Sequence, residues 1–330
     1  MRRDYYLIRS GRISRHENTI YLEFPDGEKK AIPVEDVRSL HVLGEMDFNS
    51  KLLNFLSQQG IPIHIYNYYG YYSGTFYPRE KLVSGFLIVK QVEHYLDLEK
   101  RLEIAKEIVR TTIHNISMNI KNYVYEGKIS NEEYQAIYGE AEKINYCKSI
   151  PELMSVEGSV REKYFKCWNS FLREGFEFEK RSRRPPQNML NALISFGNSL
   201  LYATTLTELY HTQLHPSISY LHEPGERRFS LSLDISEVFK PVLVDRTIFK
   251  LVNNRLIKPN HFVEELNAVY LNDEGRRVFI KEFKNKLGTT LFYKKLHRQI
   301  SYQRLIRIEC YKLVKHMLCE EKYNGFKVKS

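Results

Sequence analysis

The spacing of apolar residues changes once along this chain, and that change constrains the fold more than any other feature. Up to about residue 83 they fall in short runs rich in β-branched and aromatic side chains, such as Tyr5-Tyr6-Leu7-Ile8, Thr19-Ile20-Tyr21-Leu22 and Ser39-Leu40-His41-Val42-Leu43. Such runs read as strands, and Pro25-Asp26-Gly27 reads as the turn of a hairpin. Between them, apolar positions 48, 52, 53, 55 and 56 predict a short amphipathic helix that Gly60 stops. Strand character resumes from Ile61 to Tyr66, and the two glycines of 68–74 mark an aromatic hairpin. From about Leu87 the period becomes helical. Apolar residues at 89, 92, 96, 102, 105, 109, 113, 116, 120 and 124 step by three or four with one gap, which predicts one long helix or two in series. Helical patterning returns over 151–173, 187–214, 236–256, 276–287 and 301–320, while 229–233 and 268–271 read as strands. The expectation is an α+β protein of two domains. Residues 1–83 form a small, mainly antiparallel β domain, and 84–330 a larger, mostly α-helical domain. No Pro/Gly-rich linker separates them, so a rigid join is expected.

Charge narrows the function. Lys plus Arg number 50 against 40 Asp plus Glu, a net charge of +10 that suits a polyanionic partner. The excess is uneven: residues 1–83 carry 11 basic and 10 acidic residues, whereas 276–330 carry 15 and 4. Lys180-Arg181-Ser182-Arg183-Arg184 is a second basic cluster. Either run could be a solvated helix face, but two in one helical domain point to phosphate binding. No apolar run approaches the ~18 residues that span a bilayer, and the basic N-terminus lacks the apolar stretch of a signal peptide. Cys147, Cys167, Cys310 and Cys319 form no C-x-x-C pair, so a reduced, cytoplasmic protein is expected.

Three local patterns could carry chemistry. Glu157, in Ser155-Val156-Glu157-Gly158, lies near the apolar stripe of a helical stretch. A carboxylate there needs a partner, either a metal or a neighbouring arginine. His222 ends the ordered run Ser219-Tyr220-Leu221 just before a Pro-Gly turn, a good place for a ligand or an acid/base. Asp234 and Glu237 follow the alternating Ser230-Leu231-Ser232-Leu233. They could be an N-cap with its capping box, or they could project together toward His222. Glutamate, histidine and a further carboxylate make a hard donor set suited to Mg2+ or Mn2+.

Read in order, these stretches resemble the CRISPR-associated endonuclease/integrase family, the universal adaptation protein of CRISPR systems. The resemblance rests on Ser155–Phe165, on Arg183-Arg184-Pro185-Pro186 with Asn191–Tyr202, on Tyr220–Pro241 and on Ile308–Met317. The wording from His222 to Arg228 resembles the type I, subtype B branch. The family implies a metal-dependent DNA endonuclease/integrase that inserts spacer DNA into a CRISPR array by attack of a 3′-hydroxyl. It implies a homodimer formed through the N-terminal domains and a small ferredoxin-like second adaptation protein as partner. Its double-stranded DNA substrates are the spacer precursor and the CRISPR repeat. Its metal ligands match Glu157, His222 and Glu237, with Asp234 as a further ligand or as support behind them. Arg181, Arg183, Arg184, Lys294, Lys295 and Arg298 are the expected DNA contacts. The opposing reading is a non-catalytic basic scaffold in which the three motif residues only pack or cap.

Overall fold

A computed structural model of the chain describes residues 2–183, 185–225, 229–265 and 267–329. The first part holds β1 (Arg3–Leu7), β2 (Gly11–His16), β3 (Thr19–Glu23), β4 (Lys29–Pro33), β5 (Val37–Val42), β6 (Met46–Asp47), α1 (Ser50–Gln59), β7 (Ile63–Tyr66) and β8 (Tyr72–Phe76). The strands form two sheets of order β1-β5-β7-β8 and β4-β3-β2-β6. Both close on one apolar core that includes Ile13, Ile20, Leu40, Phe55 and Ile63. The Pro25-Asp26-Gly27 turn does join an antiparallel pair, β3 and β4, with Gly27 at φ 83°. The expected mainly antiparallel pairing holds for β2-β3-β4 and for β7-β8, whereas β1, β5 and β7 pair in parallel. Between β5 and β7 the reason is α1, which carries the chain from one to the other, whereas β1 and β5 are joined through β2, β3 and β4 of the second sheet. A strand pair joined by a helical crossover runs parallel and is buried on both faces. Leu40, His41 and Val42 of β5 are accordingly all buried.

The helices follow as α2 (Gly85–Leu96), α3 (Leu98–Tyr125), α4 (Asn131–Tyr138), α5 (Glu140–Lys143), α6 (Ile150–Cys167), α7 (Met189–Tyr210), α8 (Ser230–Phe239), α9 (Arg246–Asn253), α10 (Asp273–Gly288) and α11 (Tyr302–Met317). Two hairpins interrupt them, β9 (Phe262–Glu265) with β10 (Ala268–Leu271), and β11 (Thr290–Tyr293) with β12 (Arg298–Ser301). The gap in the 89–124 periodicity is the break at Asp97, whose carboxylate accepts from the backbone of Glu99 and Lys100 and starts α3. Residues 229–233, read above as a strand, open α8 instead. Leu231 and Ile235 are buried, and so are Ser230, Ser232 and Ser236 between them, so burial on all sides erased the helical period. No described helix is long and apolar enough to cross a membrane.

The long α3 is the floor of the helical part, beneath α6 and α8. After α8 the chain passes through a π-helical turn, Lys240–Asp245, that contains Pro241. Two asparagines one turn apart on α3 bond to carbonyls of the end of α8 and of this turn. Asn115 Nδ2 donates to Val238 O at 3.0 Å and Asn119 Nδ2 to Pro241 O at 2.7 Å. Asn115 also holds the tail, donating to Phe326 O and accepting from Val328 N, both at 2.9 Å. Glu107 and the buried Glu309 accept from Gly325 N and Phe326 N, so residues 325–328 are tied across α3 and α11.

The tyrosines of 66–77 turn largely inward. Tyr72 packs on Tyr202, Tyr77 on Tyr210, and Tyr69 on Tyr270, with ring centroids 4.7, 5.1 and 5.0 Å apart. Their planar area joins the strands to the helices of the same chain. Polar bonds cross the same seam. His64 Nε2 meets Thr207 Oγ1 at 2.7 Å, and Gln303 Nε2 donates to Asp4 at 2.6 Å. On α7, Gly197 passes close to the π-helical turn: a Cβ there would stand 2.6 Å from Val244 Cγ1 and 2.8 Å from Phe279 Cζ. Gly197→Ala should therefore destabilise the fold by about 1–3 kcal/mol through overpacking, read as a lower denaturation midpoint in urea.

Candidate active site

Asp234 organises the site. It sits in the middle of α8 with no solvent exposure, so the N-cap expectation fails; Phe229 precedes the helix. Its carboxylate caps a different segment. Oδ2 accepts from the backbone N–H of Tyr220 at 2.6 Å and Leu221 at 3.0 Å, and Oδ1 accepts from that of His222 at 2.9 Å. Oδ1 also lies 2.8 Å from His222 Nδ1. An ionised carboxylate only accepts, so the proton sits on Nδ1 and Nε2 is turned the other way. Nε2 lies 3.9 Å from Glu237 Oε1.

Glu237 follows Asp234 by one helical turn and is nearly buried. Its Oε1 is paired with Lys240 and its Oε2 with Arg161 Nη2 at 2.5 Å. Arg161 Nε reaches Glu157 Oε1 at 2.6 Å, one turn back on α6. One guanidinium thus spans the carboxylates of α6 and α8, and the imidazole stands beside the second. Glu157 is the arginine-paired glutamate that the alternative reading foresaw, and it also faces the other two motif residues through that arginine. Among the described residues no three His, Cys, Asp or Glu side chains are gathered closely enough to hold a metal ion. The donor chemistry nevertheless suits a hard cation, and a positive charge already lies between the two glutamates.

Burial opposes the ionisation of Glu237, but Lys240, Arg161 and His222 outweigh it and hold its carboxyl down to about 2. Burial alone would lower the His222 value, yet its bond to Asp234 and the charges of Asp234 and Glu237 raise it on balance. Behind Arg161, burial raises Asp245 to about 7 against the pull of Arg161, and Tyr164 donates to it at 3.1 Å.

The family model for CRISPR associated protein Cas1 matches residues 5–285. The chain belongs to the Cas1 family. It is 52% identical over 325 residues to the "CRISPR-associated endonuclease Cas1 3" of Thermodesulfovibrio yellowstonii, covering 98% of this chain and 99% of that one. It is 47% identical to the "CRISPR-associated endonuclease Cas1" of Clostridium perfringens, covering 99% of each. In structure it is similar to a Cas1 protein from Thermotoga maritima, with TM-score 0.90, 45% identity and coverage of 98% of this chain and 100% of the other.

The basic residues of this Cas1-family chain divide by environment. Arg183, Lys294, Lys295 and Arg298 are exposed, the last three at or beside the tip of the β11–β12 hairpin, where Lys295 pairs with Glu321. Arg181 points inward and donates to Ser182 O, Asn191 Oδ1 and Ser195 Oγ, and burial lowers its value to about 10. Arg184 lies outside the described residues. Further along, Arg276 donates to Tyr68 O, Arg307 to the buried Glu208 and Lys312 to the buried Glu309. Part of the C-terminal excess of base is thus spent inside the fold. Sequence reasoning missed Arg161 and Lys240, although both stand at helical spacing from the glutamates it chose.

Asp234→Asn removes two of the carboxylate's lone-pair positions and puts an N–H2 among backbone donors. It should cost about 3 kcal/mol in urea denaturation. The His222 value should fall, followed by NMR of its ring. In the native chain that raised value adds stability that is whole below the ordinary 6.5 and fades as pH rises through the native value. The variant should lose this contribution.

Proposed function

We propose that this Cas1-family chain is a metal-dependent DNA endonuclease and integrase. Its reaction joins spacer DNA into a CRISPR array in the cytoplasm by transesterification. The observation that carries the reading is that Glu157 and Glu237, from two helices, share one largely buried arginine while His222 Nε2 stands 3.9 Å from Glu237 Oε1. In this reading the three would hold Mg2+ or Mn2+, which when bound stabilises charge on the phosphoryl and leaving oxygens. Asp234 fixes the imidazole so that Nε2 faces Glu237, and Lys240 keeps that carboxylate ionised. The 3′-oxygen of the incoming strand bonds to a repeat phosphorus as the repeat's own 3′-oxygen leaves. One phosphodiester replaces another, and the proton lost by the attacking hydroxyl ends on the leaving one. No protein nucleophile is required.

Duplex DNA, as spacer precursor and repeat, is the polyanion that the exposed Arg183, Lys294 and Arg298 fit. We also propose that residues 1–83, almost neutral in charge, make a homodimer while the basic remainder carries catalysis and DNA. The small ferredoxin-like adaptation protein is the second partner. The scaffold reading keeps one supporting observation, because Arg161 and Lys240 neutralise the glutamates without any metal.

The test is strand joining on a supercoiled plasmid. EDTA, or Glu157→Ala, should abolish joining while DNA binding persists; joining that survives both would overturn the metal assignment, and DNA binding with no joining by the wild type would leave the scaffold reading. Reversing Lys294 and Arg298 together to Glu should weaken binding across all sequences. Each lost phosphate contact should reduce the log–log salt slope by about 0.9. Solvating charges alone would leave that slope unchanged.

A further inference from the structure

Arg161 occupies the centre of the site without belonging to the matched donor set. Its Nε and Nη2 bond to different helices' carboxylates, at 2.6 Å to Glu157 and 2.5 Å to Glu237. Its side chain is only 13% exposed, so these bonds lie largely out of water, where charge-assisted pairs are strongest. A lone pair that accepts from a guanidinium cannot at the same time ligate a metal.

We infer that Arg161 is a resident cation that competes with the divalent ion for Glu157 and Glu237, and that it must release at least one of them for the ion to bind. The inference rests on the metal reading above. Three further observations support it. No three donors are gathered among the described residues, which is expected where a guanidinium holds the carboxylates apart. His222 already points Nε2 at Glu237, so the imidazole is set and the carboxylates are what must change. Lys240 pairs with the Glu237 oxygen that faces His222, so Glu237 keeps a counter-charge when its bond to Arg161 opens.

The consequence is a linkage with a definite sign. Arg161 stabilises the metal-free fold, because without it two neighbouring carboxylates lose their shared counter-charge. By the same bonds it weakens metal binding. An arginine that merely supports the architecture would behave differently: its removal would lower stability and metal affinity together.

The experiment uses the full chain as wild type, Arg161→Gln and Arg161→Lys, with Mn2+ as the probe. Binding is read by calorimetry and by the electron paramagnetic resonance of free Mn2+, and stability by thermal melting with EDTA or with Mn2+. Arg161→Gln should melt lower in EDTA and bind Mn2+ more tightly, on the order of tenfold. Its melting temperature should therefore rise further with Mn2+ than that of the wild type. Arg161→Lys keeps the charge but cannot reach both carboxylates. It should fall between the two, and it carries the test if the glutamine variant does not fold. Equal or weaker Mn2+ binding by the folded variants overturns the inference and leaves the metal reading standing. Absence of Mn2+ binding by every protein overturns both.

Discussion

One buried carboxylate sets the terms for the helical part of this chain. Asp234 has no contact with water, and its two oxygens serve three consecutive backbone N–H groups and an imidazole. A buried charge of this kind is tolerated only when its lone pairs are filled. The segment 220–222 must therefore lie over α8, and His222 can face only one way. Arg101 of α3 secures the same segment from below by donating to Tyr220 O at 2.9 Å. Position and aim of the imidazole thus follow from a hydrogen-bond requirement.

Much of this was legible in the sequence, for physical reasons that can be named. The change of period near residue 87 separated strands from helices because it reflects burial on one face. Where burial was complete, as in α8, period disappeared and a helix resembled a strand. The parallel pairing of β5 with β7 was hidden for a related reason, since the crossover helix could be seen but its consequence for strand direction lay in three dimensions. Glu157, His222 and Glu237 were found through motif wording, whereas Arg161 and Lys240 were passed over because charge at helical spacing usually means a solvated face.

The seam between strands and helices is polar as well as aromatic. Burial drives His41 down to about 3 and His64 well below its ordinary value, so both are neutral near neutral pH. They act there as hydrogen-bonding spacers. His41 meets Tyr66 and Ser39, and His64 meets Thr75 and Thr207. A seam built from neutral directional bonds resists sliding, which fits a chain without a Pro/Gly-rich linker.

The tail has a consequence for how the protein is made. Asn115 lies in the middle of α3, yet its side chain bonds to Phe326 and Val328, more than two hundred positions later. During translation α3 emerges long before these residues. Until they leave the ribosome, Asn115, Glu107 and Glu309 lack partners that the finished protein gives them. The strand-rich part can fold while synthesis continues, because its core draws on residues between 5 and 76. The helical part is completed only when residues 325–328 have been made and docked on α3 and α11.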